Sequence, residues 1–173
     1  MAALTLDSAP TGEHFAFATS ARGAGGAFSF RWTLAAGKTG PNEHVHPHED
    51  EHFDIVSGTL RVWIDGVARD LGPGDSVTVP AGAPHRFLNP GPGPLVADVR
   101  LNGDRMEAMF LPAAAWAAGG GGTMTGLAHL LSAMPGATEP VHGVDRWMLA
   151  GFRALLWPFR RTLPFPERWD EAT

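Results

Sequence analysis

The sequence predicts an all-β fold, an antiparallel sandwich or barrel, followed by a C-terminal helical appendix. Short segments of alternating apolar and polar residues recur between residues 28 and 101. Turns rich in glycine, proline and aspartate lie between these segments, and no helical pattern separates them. Because a parallel sheet needs crossover helices between its strands, this part of the chain favours an antiparallel arrangement.

The first clear strand covers residues 28–34. Its apolar residues alternate with Ser29, Arg31 and Thr33, which is the period-two pattern of a strand with one buried face. Further short strands are predicted at residues 51–57, 59–65, 76–80, 85–89 and 95–101. The segments between them contain the residue types that tight turns prefer.

The pattern changes after about residue 104. Four consecutive glycines at 119–122 predict a flexible joint. Residues 144–157 then carry apolar side chains at steps of three and four, which predicts an amphipathic helix. We therefore expect a barrel over residues 1–103 and a helical extension over residues 104–173, packed on the barrel or on a second subunit.

The composition argues against several kinds of function. The 173 residues carry a formal net charge of -5, so the surface as a whole repels a phosphate backbone. The chain has no cysteine, which excludes disulfides, thiolate metal sites and cysteine nucleophiles. It shows neither a signal-peptide pattern nor an apolar run of membrane length. We expect a cytoplasmic protein with no nucleic-acid and no membrane partner.

Candidate metal ligands occur in the segment PNEHVHPHEDEHFDIVSG, residues 41–58. His44 and His46 are two residues apart, so on a strand both imidazoles project from the same face. Glu51 lies five residues further on, where a carboxylate across the following turn can approach the same point. Nitrogen and oxygen ligands of this kind suit a divalent transition metal.

A third imidazole is predicted from the segment GDSVTVPAGAPHRFLN, residues 74–89. A strand ends at Pro80, the chain reverses, and His85 opens the next strand. This segment matches the second motif of the cupin family at every fixed position, and the first segment resembles the first cupin motif. The matching positions in the second motif are Gly74, Pro80, Gly82, His85 and Asn89.

The resemblance covers roughly residues 14–101 and implies a specific fold and site. Cupins fold as a small antiparallel β-barrel, a double-stranded β-helix or jelly roll, and many are homodimers. Carried over onto this sequence, the family's metal ligands are His44, His46, Glu51 and His85. Such a set accepts Fe, Ni, Mn, Cu, Co or Zn and does not choose among them. A six-coordinate ion would keep about two positions for water, dioxygen or substrate, as a catalytic site requires.

Two further histidines are interpreted as non-ligands. His48 falls in the turn after His46, and His52 has the opposite strand parity to Glu51. We expect both to be solvated or to lie behind the ligands. The acidic residues around them either help to retain a cation or form a solvated rim; they are Glu43, Glu49, Asp50 and Asp54.

Strand parity also predicts which side chains surround the metal. Phe53 and Ile55 share the face of Glu51, and Phe87 shares the face of His85. With Trp32 they form a predicted apolar substrate pocket, although the same side chains could simply fill the barrel.

The leading functional hypothesis is a metal-dependent dioxygenase that acts on a small enolic, phenolic or otherwise largely apolar substrate, resembling quercetinase-like cupins. Glu51 would serve as a ligand and, on dissociating, as the catalytic general base. The absence of tyrosine argues against the cupin lyases that use a tyrosine base. The alternatives are a non-redox isomerase, cyclase or dehydratase with the same metal, or a non-catalytic small-molecule-binding protein.

Overall fold

The structure is a computed structural model that describes residues 4–8, 11–22, 26–161 and 163–166. The described strands are β1 (Thr5–Ser8), β2 (Glu13–Thr19), β3 (Phe28–Leu34), β4 (His44–Val45), β5 (Glu51–Ser57), β6 (Leu60–Ile64), β7 (Val67–Leu71), β8 (Ser76–Val79), β9 (His85–Leu88), β10 (Leu95–Leu101) and β11 (Glu139–Pro140). The helices are α1 (Arg105–Ala118), α2 (Thr123–Ala133) and α3 (Gly143–Leu156), and a 3-10 turn, Trp157–Phe159, follows α3.

The strands form two antiparallel sheets. The larger sheet has the strand order β1-β2-β3-β10-β5-β8, and the smaller has the order β11-β4-β9-β6-β7. Every strand pairing in both sheets is antiparallel, and the order differs from the chain order, as in a jelly roll. The predicted all-β fold with a C-terminal helical part is therefore confirmed.

The core lies where the inner faces of the two sheets meet. On β3 the buried side chains alternate with half-buried or exposed ones, as the period-two pattern predicts, and β5 and β10 repeat this alternation. Residues of the small sheet, such as Leu60 and Val62 on β6, join the same buried cluster. The apolar side chains of both sheets thus share one core.

Helix α1 is part of this core rather than a separate appendix. Met106, Met109, Leu111 and Ala114 are buried and belong to the barrel's apolar cluster. Pro112 lies inside the helix, where it supplies no backbone N–H. The first part of the predicted extension is therefore packed on the barrel.

Helix α3, in contrast to α1, is largely exposed. Leu156 is its one buried residue, whereas Trp147 is 81% exposed and the other large apolar residues of the predicted stripe are also exposed. The stripe predicted for residues 144–157 consists of Val144, Trp147, Met148, Gly151, Phe152, Leu155 and Leu156, and of these only Leu156 is buried. Within the single chain it does not pack on the barrel, so packing on a second subunit stays a prediction. None of the helices in the described ranges combines the length and the apolar content needed to cross a membrane.

Candidate metal centre

The four predicted ligands lie on or directly beside three strands, where the two sheets face each other. His44 opens β4 and pairs directly with His85, the first residue of β9. His46 lies just beyond β4, and Glu51 is the first residue of β5 in the larger sheet. All four side chains are buried. The antiparallel pairing of β4 with β9 therefore brings together two predicted ligands, His44 and His85, that are about forty residues apart in the chain.

The side chains converge on one point. One ring nitrogen of each of His44, His46 and His85 lies within 4.8 Å of the others, close enough for one metal ion. The Oε2 atom of Glu51 lies 3.5 Å from Nε2 of His46 and 3.4 Å from Nε2 of His85. The structure therefore brings all four predicted residues into one cluster.

Backbone carbonyls orient all three imidazoles. Nδ1 of His44 donates to Asn42 O at 2.9 Å, and Nδ1 of His85 donates to Ala83 O at 2.8 Å. Nδ1 of His46 donates to Ala137 O at 2.6 Å. Since a carbonyl oxygen only accepts, each Nδ1 carries the proton, and a neutral ring then presents the lone pair of Nε2 to the centre of the cluster.

Three of the atoms that face the centre have no hydrogen-bond partner. Among the described side chains, Nε2 of His46, Nε2 of His85 and Oε2 of Glu51 are buried polar atoms without a partner. Three such atoms in one place are costly in a folded protein, because buried polar groups are almost always paired. A divalent metal would satisfy all three, so the residues present fit the metal that the sequence predicts.

Charges within the cluster shift its pKa values. Burial, together with the neighbouring His85 and His46, lowers the pKa of His44 to about 3. Burial lowers the pKa of His46 as well, but the negative charge of the nearby Glu51 and the hydrogen bond to Ala137 O outweigh this and raise the pKa overall. For Glu51, burial raises the pKa, and the contacts with His46 and His85 bring it well below its usual range. Glu51 is therefore a carboxylate at neutral pH.

The histidines that were interpreted as non-ligands lie outside the cluster. His48 is exposed in the turn after His46. His52 is half-buried on the outer face of β5, where its ring nitrogens contact Thr78 Oγ1 and Asp54 Oδ1. Neither side chain belongs to the group of three imidazoles.

The supporting roles of two residues, one beside the cluster and one in the C-terminal extension, were not identified from the sequence. Glu49, interpreted there as part of a charged rim, is only 2% exposed, and its carboxylate accepts hydrogen bonds from the backbone of α1. Ala137, in the loop between α2 and β11, supplies the carbonyl that orients His46. Both contacts join residues more than fifty positions apart, and no local sequence pattern signals them.

The predicted pocket residues lie inside the barrel beside the cluster. The rings of Trp32, Phe53 and Phe87 contact one another, with a Phe53–Phe87 centroid distance of 4.9 Å. Phe87 also lies 5.2 Å from the ring of His85. Ile55 is buried in the same core. These side chains form an apolar wall against the imidazoles, and their role toward a substrate stays a prediction.

Comparison with known protein families agrees with this architecture. Residues 30–99 match the family model of the cupin domain, Cupin_2, a range that includes all four clustered residues. Residues 30–99 therefore form a cupin domain.

Curated relatives match over short segments. Mannose-1-phosphate guanylyltransferase of Escherichia coli is 42% identical over 65 residues, which are 38% of this chain and 13% of that protein. A probable oxidoreductase, patJ, of Aspergillus clavatus is 41% identical over 50 residues, which are 28% of this chain and 16% of that protein. The chain thus spans about a seventh of the length of each.

Among solved structures, one of an oxalate oxidase aligns with 56% of this chain and 53% of its own chain, at 26% identity and a TM-score of 0.49.

Proposed function

We propose that this protein is a metal-dependent enzyme, a dioxygenase that acts on a small enolic, phenolic or otherwise largely apolar substrate. One observation carries the metal-dependent part of the proposal. Three imidazoles, each oriented by a backbone carbonyl through Nδ1, aim their Nε2 atoms at a buried point that a carboxylate oxygen also faces. Without an ion, three of these atoms are left without a partner.

In this proposal His44, His46, His85 and Glu51 hold one divalent transition metal. The lowered pKa of His44 keeps that imidazole unprotonated at neutral pH, which is the form that binds a metal. When bound, such a metal supplies Lewis acidity toward a substrate oxygen and, for a redox-active ion, reactivity toward dioxygen. The residues themselves position the ion and exclude bulk water, because all four are buried.

Glu51 has two possible roles, and its environment favours one. A general base works best when its pKa is close to the working pH. The pKa of Glu51 lies well below its usual range, so its carboxylate holds a proton weakly. This supports Glu51 as a ligand more strongly than as the general base expected from the sequence.

The apolar wall beside the cluster supports the proposed substrate class. Phe87 packs against both His85 and His44, with ring centroids 5.2 Å and 6.1 Å apart. Apolar surroundings strengthen electrostatic interactions at a reacting oxygen and favour substrates with aromatic or aliphatic bodies. The similarity to the probable oxidoreductase patJ is in keeping with an oxidative reaction.

A second candidate function keeps the metal without dioxygen. A non-redox isomerase, cyclase or dehydratase would use the same ligands to polarise a carbonyl or hydroxyl oxygen. The match to mannose-1-phosphate guanylyltransferase favours a carbohydrate substrate for such an enzyme. A non-catalytic protein that binds a small molecule would share the fold as well.

Metal analysis of the protein purified without added metal tests the proposal first. We expect about one Fe, Ni, Cu or Mn per chain, its loss in His85→Ala, and its retention in His48→Ala, which removes an exposed histidine of the same segment. Oxygen uptake with enolic and phenolic compounds then separates the candidates. Turnover that consumes no dioxygen would support the non-redox enzyme, and no metal after reconstitution would leave only the binding protein.

A further inference from the structure

We infer that the C-terminal extension is a structural part of the metal centre, because the carbonyl of Ala137 holds His46 in the orientation and tautomer that a metal ligand needs. The inference rests on the proposed metal binding and adds a positioning role for a segment outside the matched cupin region. Its basis is the 2.6 Å hydrogen bond from Nδ1 of His46 to Ala137 O.

The other two imidazoles are held by carbonyls that lie just before their own strands. The partner of His44 is the carbonyl of Asn42, and the partner of His85 is the carbonyl of Ala83, each two residues away in the chain. The partner of His46 is 91 residues away. His46 is thus the one imidazole of the three whose Nδ1 hydrogen bond depends on the helical extension being in place.

The extension reaches this position through backbone contacts with the first metal motif. Strand β11 pairs with β4, placing Pro140 opposite His44 and Glu139 opposite Val45. The N–H of Val141 donates to Glu43 O at 3.1 Å. Ala137 is 2% exposed, and its own N–H donates to Met134 O at 2.9 Å. These contacts fix the carbonyl of Ala137 from both sides.

Loss of this carbonyl would change what His46 presents to the centre. With Nδ1 unpaired, the ring can carry its proton on Nε2, which faces Oε2 of Glu51 at 3.5 Å. That tautomer has no lone pair for a metal at Nε2. Hydrogen-bond partners of metal-bound histidines typically contribute about 10–100-fold to metal affinity. By linkage, metal binding should in turn stabilise the segment that carries Ala137.

Two glycines of the extension provide a matched test. Gly136 immediately precedes Ala137 and has a φ of 80°, and Gly120 in the joint between α1 and α2 has a φ of 75°. Alanine is strained in both conformations. A Cβ at Gly120 meets nothing within 4 Å, and one at Gly136 lies 3.0 Å from the end of the flexible Arg105 side chain. Only Gly136→Ala is therefore expected to displace the carbonyl of Ala137.

The experiment titrates metal-free full-length protein with Co²⁺ alone, following affinity and the visible absorption spectrum of the bound ion. We expect Gly136→Ala to bind Co²⁺ about 10–100-fold more weakly, with an altered spectrum. Gly120→Ala should match the unsubstituted protein in both. Equal affinity and equal spectra for the two variants would overturn the inference.

Hydrogen–deuterium exchange of the unsubstituted protein provides a measurement that does not depend on a variant folding. Adding Co²⁺ is expected to slow amide exchange in residues 134–141 as well as in β9. Slower exchange in β9 with no change in residues 134–141 would refute the coupling. If the unsubstituted protein binds no Co²⁺, the proposed function itself fails. That result is distinct from equal Co²⁺ binding by the two variants and from unchanged exchange in residues 134–141, which would each refute only the inference.

Discussion

The buried carboxylate of Glu49 accepts a hydrogen bond from the backbone N–H of Arg105 at 2.7 Å. A second, longer bond of 3.3 Å comes from the N–H of Met106. These are the first two N–H groups of α1, and Asp104, which precedes the helix, makes no side-chain capping bond. Since the first N–H groups of a helix have no partner within it, Glu49 caps α1 from the short segment between His46 and Glu51.

Replacing Glu49 should therefore destabilise the fold. Glu49→Ala leaves two N–H groups of α1 without partners and removes a negative charge from the positive end of the helix dipole. We expect the free energy of unfolding to fall by about 1–3 kcal/mol, measured by urea denaturation. Asp65→Asn, which neutralises an exposed turn residue, serves as the control. Equal effects of the two changes would contradict the capping role.

Gly58, directly after β5, should tolerate no side chain. Its φ is 82°, and a Cβ there would lie 2.6 Å from Pro94 O and 2.8 Å from Cα of Leu95. Gly66 has a similar φ of 77° but open space around it. We expect Gly66→Ala to cost about 1–2 kcal/mol from backbone strain alone. Gly58→Ala should cost clearly more, because backbone atoms must also move. Thermal unfolding of both variants would show whether crowding adds to strain.

Glu13 should make stability depend on pH. Burial raises the pKa of Glu13, although the hydroxyl of Thr11 and the hydrogen bond from Trp32 lower it in part. The folded protein therefore binds this proton more tightly than the unfolded chain, and the associated stability is lost as pH rises through the folded-state value. Glu13→Gln keeps an acceptor for Trp32 and removes the buried charge. We expect its melting temperature to exceed that of the parent at about pH 8 and the difference to shrink at about pH 4. A difference in melting temperature that does not change with pH would contradict a raised pKa for Glu13.

Metal should stabilise the folded state. A ligand that binds only the folded protein adds about 2.7 kcal/mol of stability at a hundredfold excess over its Kd. We expect Zn²⁺ to raise the melting temperature of the metal-free protein and of His48→Ala, but not of His85→Ala, in which one of the clustered imidazoles is missing. A similar increase in all three proteins would indicate that Zn²⁺ binds elsewhere.

The protein is expected to form a homodimer, as the resemblance to cupins implies. Light scattering coupled to size-exclusion chromatography should give about twice the 18.3 kDa of a single chain. A mass near that of one chain would show the prediction to be wrong.

Much of the barrel was predictable because its strands obey local rules. The bounds predicted for residues 28–34, 51–57 and 95–101 agree with β3, β5 and β10, whose buried and solvated faces alternate clearly. Strand β7 was not predicted, because nearly all of its side chains are exposed and it has no apolar face to reveal it. Strands β4 and β11 are two residues long, too short for any periodicity.

From the sequence, residue spacing placed His44 and His46 together and allowed Glu51 to approach them, and the resemblance to the cupin motifs added His85 to the set. Only the tertiary structure decided how that cluster is supported. The contacts of His46 with Ala137 and of Glu49 with Arg105 join backbone groups to side chains across 91 and 56 positions. A backbone carbonyl or N–H is present at almost every residue, so the amino-acid type does not reveal which one will be used. Which backbone group makes the contact depends on where the helices and their loops pack against the barrel.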